Sequence, residues 1–281
     1  MKRQLIVLLL SILTSVVFFS CKQKTIKTEE KDYTKKYFLV SDTSKGSLKV
    51  EIQIEIPVDF ENKSILDSIR KTIITNLFRE EYVSHPNDSI VEQFSNELAL
   101  DYRLNNAPMV SLLDSGSVYS FNNEHILSGF SLLSDKNIYA YGIERYVFMG
   151  GAHGLETRNY LNFNLKTGNV ITENDLFVAD YKNKLAELIK KRIIEESREY
   201  KEEKNSEPIL NLEDTDFWTD SIKPNGNFYI TDESINYVFN PYEIAPFYLG
   251  QTEVRIPFDR LTGLLKPNSP IAYLVEKQLK K

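Results

Sequence analysis

The chain has 281 residues, 42% hydrophobic and 12% aromatic, enough apolar surface for one large core or two ordinary ones. It carries 34 basic and 40 acidic residues, a formal charge of −6. That sign argues against nucleic acid as a partner, because phosphate binding needs basic patches, and it favours encounter with a cationic protein.

In chain order, Lys2 and Arg3 precede an apolar run from Leu5 to Phe19 that ends at Ser20 and the single cysteine, Cys21. The run is too short for a spanning helix and reads as an export signal over residues 1–20. A small residue just before a lone cysteine resembles a bacterial lipoprotein signal, although Phe18 stands where such signals usually carry leucine. Lipidation at Cys21 is the expectation. Cleavage removes two bases and no acid, leaving 32 basic and 40 acidic residues and a charge of −8. One cysteine allows no internal disulfide. The charged residues that follow, "KQKTIKTEEKDYTKK", lack apolar periodicity, so 21–35 are expected to be a flexible tether.

"SLKVEIQIEIP" alternates Leu48, Val50, Ile52, Ile54 and Ile56 with Lys49, Glu51, Gln53 and Glu55, the signature of a half-buried strand. Leu66, Ile69, Ile73 and Leu77 then mark one face of a helix capped by Asn62 or Ser64. After "HPND", where His85 falls in a loop, Val91, Phe94, Leu98 and Tyr102 predict a second helix from about Ser89 to Leu104. From Ser117 to Phe163, aromatic and branched residues separated by turns predict three consecutive antiparallel strands. Thr172 and Asp175 are spaced as a capping box ahead of a helix containing Leu185, Leu188, Ile189 and Ile193. A hairpin at "NFYITDESINYVF", a strand at "TEVRIPF" and a short helix near "DRLTGLLK" complete the chain. Strands and helices cluster rather than alternate. The expected fold is therefore α+β, antiparallel sheets packed by amphipathic helices, in two consecutive subdomains, 36–150 and 151–281.

Chemical motifs are sparse. His85, His125 and His153 show no metal-ligand spacing, and there is no nucleophile elbow, Walker A or Rossmann glycine pattern. Asp214 and Asp216 read as a solvated pair. No catalytic residue, metal or cofactor is expected. Two stretches stand out instead. "GGAHG", residues 150–154, takes three of the 11 glycines, and "FNPYEIAPFYLG", residues 239–250, combines prolines with rigid aromatics.

The order GGAHG, "NFNLKTG", T-x-x-D-L-F, "NPYEIAPFY" and a strand ending in I-P resembles the extracytoplasmic region of the RsiV anti-sigma factor family. It is also similar to the non-catalytic region of PdaC-type peptidoglycan deacetylases and to uncharacterised bacterial lipoproteins. The resemblance implies a receptor that recognises lysozyme by covering its substrate cleft. Sigma-factor control is not expected, since four residues precede the apolar run, and the deacetylase catalytic domain has no counterpart. Carried over residue by residue, the implied binding surface is Gly150, Gly151, His153 and Gly154 with Pro241, Tyr242, Glu243, Pro246 and Tyr248. The expectation is a non-enzymatic, lipid-anchored envelope protein, on the outer membrane facing the periplasm, that binds a cationic protein such as lysozyme. A peptidoglycan-binding module, suggested by 16 tyrosines, is the alternative. A wall hydrolase ranks last.

Overall fold

A computed structural model describes residues 25–112, 121–199 and 209–279. Cys21, the export signal and "KEEKNSE" lie outside the described residues. Among the described residues, no helix is long and apolar enough to cross a membrane.

The fold is α+β, with two sheets flanked by helices. The first sheet has five strands in sequence order: β1 (Lys27–Phe38), β2 (Ser47–Asp59), β3 (Asn122–Ser134), β4 (Ile138–Met149) and β5 (Leu155–Asn164). β2 buries Leu48, Val50, Ile52, Ile54 and Ile56, as its alternation predicts. Against that face pack α1 (Lys63–Leu77), through Leu66, Ile69, Ile73 and Leu77, and α2 (Asn87–Asn106), through Val91, Phe94 and Tyr102. The Asn62 side chain accepts from the Ile65 amide at 3.3 Å and caps α1.

Three expectations need correction. The expected tether is mostly strand: β1 begins at Lys27 and pairs antiparallel with β2 along its length. Its charges are those of an edge strand, which needs few apolar residues and discourages further pairing with charge. α2 engages them, with Asp88 2.6 Å from the Lys31 ammonium and Asn87 donating to Glu29 at 3.2 Å. Next, the first sheet is not wholly antiparallel. β2 and β3 are parallel, because the chain between them crosses the sheet through α1 and α2 and re-enters at the same end. Finally, the subdomain boundary moves from 150/151 to the stretch between Leu165 and Ile171. β5 completes the first sheet, Leu165 belongs to the first core and Ile171 to the second.

The second core is built on β6 (Phe228–Ile230), β7 (Ser234–Phe239) and β8 (Thr252–Pro257), all antiparallel. It is packed by α3 (Glu173–Leu176), α4 (Tyr181–Glu199) and α5 (Ala272–Leu279). The Thr172–Asp175 capping box forms, but it opens the single turn α3 rather than the longer α4. "DRLTGLLK" yields only one 3-10 turn, Phe258–Leu261.

Asparagine side chains join the two sheets along the free edge of β5. Asn162, 2% exposed, donates to the Phe228 carbonyl at 2.7 Å and accepts from the Ile230 amide at 3.0 Å. Asn227 accepts from the Tyr160 amide at 3.0 Å and donates to the Arg158 carbonyl at 2.8 Å. Asn240 accepts from the Arg158 amide at 2.7 Å and donates to the same carbonyl at 3.1 Å. A primary amide offers the donor and acceptor of a peptide group, so these side chains stand in for a neighbouring strand.

Candidate functional site

The glycine-rich loop is the hairpin connection from β4 to β5, whose last pair is Val147 with Leu155. Each conspicuous glycine has its own circumstances. Gly150 has φ 80°, a conformation that side chains resist. A Cβ on Gly154 would sit 2.3 Å from the Tyr146 ring, whereas one on Gly151 would meet open space. Gly154→Ala is therefore expected to displace Tyr146 and cost about 1–3 kcal/mol. Gly151→Ala should stay within about 0.5 kcal/mol, as surface substitutions do; paired urea titrations check both.

The loop presents His153 outward, with Nδ1 3.1 Å from the Gly154 carbonyl oxygen. Its imidazole stacks on Phe247, centroids 3.7 Å apart and planes 17° off parallel. Phe247 in turn packs against Tyr242 at 5.6 Å. The two stretches thus meet, nearly a hundred residues apart in the chain, and the junction explains why. Asn240 ties the start of the second stretch to Arg158 on β5, four residues past Gly154. Ile244 and Ala245, 2% and 3% exposed, anchor its middle, and the Ile244 carbonyl accepts from the Trp218 amide at 2.7 Å.

Around these anchors the predicted residues divide into two groups. Tyr242 and Tyr248 are 54% and 67% exposed. Tyr242 has φ 70°, a left-handed conformation uncommon for an aromatic residue. The Tyr248 hydroxyl donates to the Asp216 carboxylate, which raises the pKa of the phenol. Glu243, although exposed, accepts from Asn225 at 2.8 Å and from Asn240 at 3.2 Å, so its carboxylate braces the turn. Pro241 enters that turn, and Pro246 leads into the 3-10 turn Phe247–Leu249. Gly150, Gly151 and Gly154 shape the loop and offer no side chain.

Phe247 and Asn240 are the residues the sequence reading missed as members of the site. An aromatic between two chosen positions was the available signal for Phe247; nothing local distinguished Asn240 from a turn asparagine. Met149, Leu155, Trp218 and Leu249 leave further apolar surface exposed on or beside these loops. The other histidines lie elsewhere. His85 packs on Tyr82 and His125 on Phe94, within the first core, and neither joins His153. Among the described residues, no group of three His, Cys, Asp or Glu side chains could hold a metal ion.

Residues 174–259 match the DUF3298 family, described as a protein of unknown function. The DUF3298 segment contains the second stretch and the whole three-stranded sheet, but not the glycine loop. A DUF3298-family crystal structure from Bacteroides fragilis superposes with a TM-score of 0.79 at 23% identity, covering 91% of this chain and 100% of that one. A second, from Pseudomonas aeruginosa, gives 0.55 at 16% identity over 86% and 95%. At these identities the shared property is the fold, and in both cases it extends across the two sheets, well beyond the DUF3298 segment. No curated protein matches the chain.

Proposed function

We propose that this chain is a non-catalytic binding module of the bacterial envelope, whose paired loops recognise a cationic protein of the lysozyme type. The observation that carries the reading is the His153–Phe247 stack, which makes one exposed surface of two stretches that the RsiV-like resemblance singles out. Rigid, exposed aromatics held by a braced turn are the kind of anchor that dominates protein interfaces. The mature charge of −8 favours a basic partner and speeds encounter. Anchoring through Cys21 would hold this surface at the membrane, where it could occlude a muramidase before it reaches the wall.

The test is binding of immobilised residues 22–281 to hen lysozyme at physiological salt. The expected dissociation constant is on the order of micromolar or tighter, weakened by about 10-fold or more in Tyr242→Ala and in His153→Ala, the loss of about 1.4 kcal/mol or more typical of interface anchors. Absence of binding, or binding that ignores both substitutions, refutes the reading. A second reading has its own support: Trp218, Tyr242 and Tyr248 expose flat rings able to stack on sugars. Retention by purified peptidoglycan, with no retention by lysozyme, would select it.

A further inference from the structure

α1 and α2 cover one face of the first sheet, where β2 and β3 bury Ile52, Ile54 and Leu127. Alternation turns Glu55, Ser128 and Phe130 to the opposite face. Register carries Tyr146 and Tyr160 there with them, since Ile126 pairs with Tyr146, and Gly142 pairs with Phe130 on one side and Tyr160 on the other. On that face three aromatic rings form a row. A Cβ on Gly142 would meet the Phe130 ring at 2.8 Å and the Tyr160 ring at 3.2 Å, so both lie over this glycine. Tyr160 in turn packs on Tyr229 of β6, with centroids 4.8 Å apart. All three rings are only half-buried.

Beside Phe130 a groove of about 200 Å³ runs onto β2 and β1, where Glu30, Asp32 and Glu55 line it. Its volume suits one side chain rather than a drug-sized ligand. Glu55 accepts from the Thr28 and Ser131 hydroxyls at 3.3 and 2.5 Å, while Glu30 and Asp32 stand exposed. The bases of this face are engaged elsewhere. Lys49 lies 2.6 Å from Glu51 and 3.0 Å from Glu124, Arg158 lies 3.0 Å from Glu144 and 2.9 Å from Glu156, and Lys36 sits over the Phe38 ring. Among the described residues, the three groove carboxylates are left without a basic partner. Unpaired carboxylates beside exposed rings complement a cation on an aliphatic stem, the charge meeting the groove and the stem lying along the rings.

We propose that this open face of the first sheet is a docking surface for lysine and arginine side chains of a cationic protein. The proposal rests on the reading that the partner is a cationic protein, and it extends the contact beyond the paired loops. Tyr146 links the two surfaces, because its ring lies against Gly154 of the glycine loop.

Ring resonances of isotope-labelled residues 22–281 are the readout, because amides within strands are already hydrogen-bonded. At low salt, hexa-arginine should shift the Phe130, Tyr160 and Tyr229 rings and saturate with a dissociation constant on the order of 1 mM or tighter, while hexaglycine should leave them unmoved. Glu30→Gln combined with Asp32→Asn, both exposed on an edge strand, should keep the fold and weaken binding of hexa-arginine and of hen lysozyme by about 10-fold. Shifts scattered over acidic positions of the whole chain, or affinities untouched by the double substitution, would overturn the proposal. Ring shifts with muropeptides and none with hexa-arginine would overturn it too, and assign the row to glycan. Lysozyme binding that depends on Tyr242 but not on Glu30 and Asp32 would overturn it while leaving the loop surface standing. No lysozyme binding, with hexa-arginine seated on the row, would refute the lysozyme reading and keep this face as the dock for another basic protein.

Discussion

Asn162→Ala is expected to destabilise the protein by about 2–5 kcal/mol, the cost of two buried backbone groups left without partners. The side chain is almost fully enclosed and serves the Phe228 carbonyl and the Ile230 amide, both on β6. β6 has only three residues, so it can spare few bonds. The alanine side chain supplies neither donor nor acceptor. Asn159→Ala, at an exposed position of the same strand, should cost no more than about 0.5 kcal/mol. Urea unfolding followed by circular dichroism measures both. A loss below about 1 kcal/mol for Asn162→Ala would mean that the junction contributes little and that the loops are positioned by other contacts.

The second large effect depends on pH. His125 lies against Phe94 in the first core, and burial, with the Arg145 charge adding to it, pushes its pKa from 6.5 down to about 4. In the unfolded chain the imidazole takes up a proton near pH 6.5, whereas in the fold it does so only near 4. Between those values the unfolded state holds more protons, so stability must fall as the pH falls. The contribution is intact above pH 6.5 and is reduced by about 3 kcal/mol at pH 4. Carboxylates such as Asp59 and Glu97, whose pKa values are lowered by Lys27 and Lys63 and by Tyr82 and Arg79 respectively, also lose stability in acid. The difference between the native chain and His125→Leu isolates the histidine. The leucine variant should show a shallower decline over pH 6.5–4, and identical slopes would contradict the assignment.

Much of the fold was legible because single elements declare themselves. The strict alternation in β2 and the heptad-like stripe of α1 each follow from one buried face. What escaped depends on partners. β1 reads as a tether because an edge strand needs little apolar surface, and its charges make sense only beside Asp88 and Asn87 of α2. The parallel pairing of β2 with β3 cannot be seen in either strand, since direction is set by the crossover between them. The site was half legible. Unusual composition marked both loops, but their meeting depends on Asn240 reaching β5 and on Phe247 facing His153. Asn162, Asn227 and Asn240 look like turn residues in the sequence, because a side chain that replaces a strand leaves no periodic trace.

The central claim is that the paired loops form the recognition surface, and amide hydrogen exchange of residues 22–281 with and without lysozyme tests it most directly. Protection should concentrate at residues 149–155 and 240–250 and should need about 10-fold or more additional lysozyme to appear in Tyr242→Ala, which should still fold. Protection confined to other parts of the chain, or none at saturating lysozyme, would contradict the account.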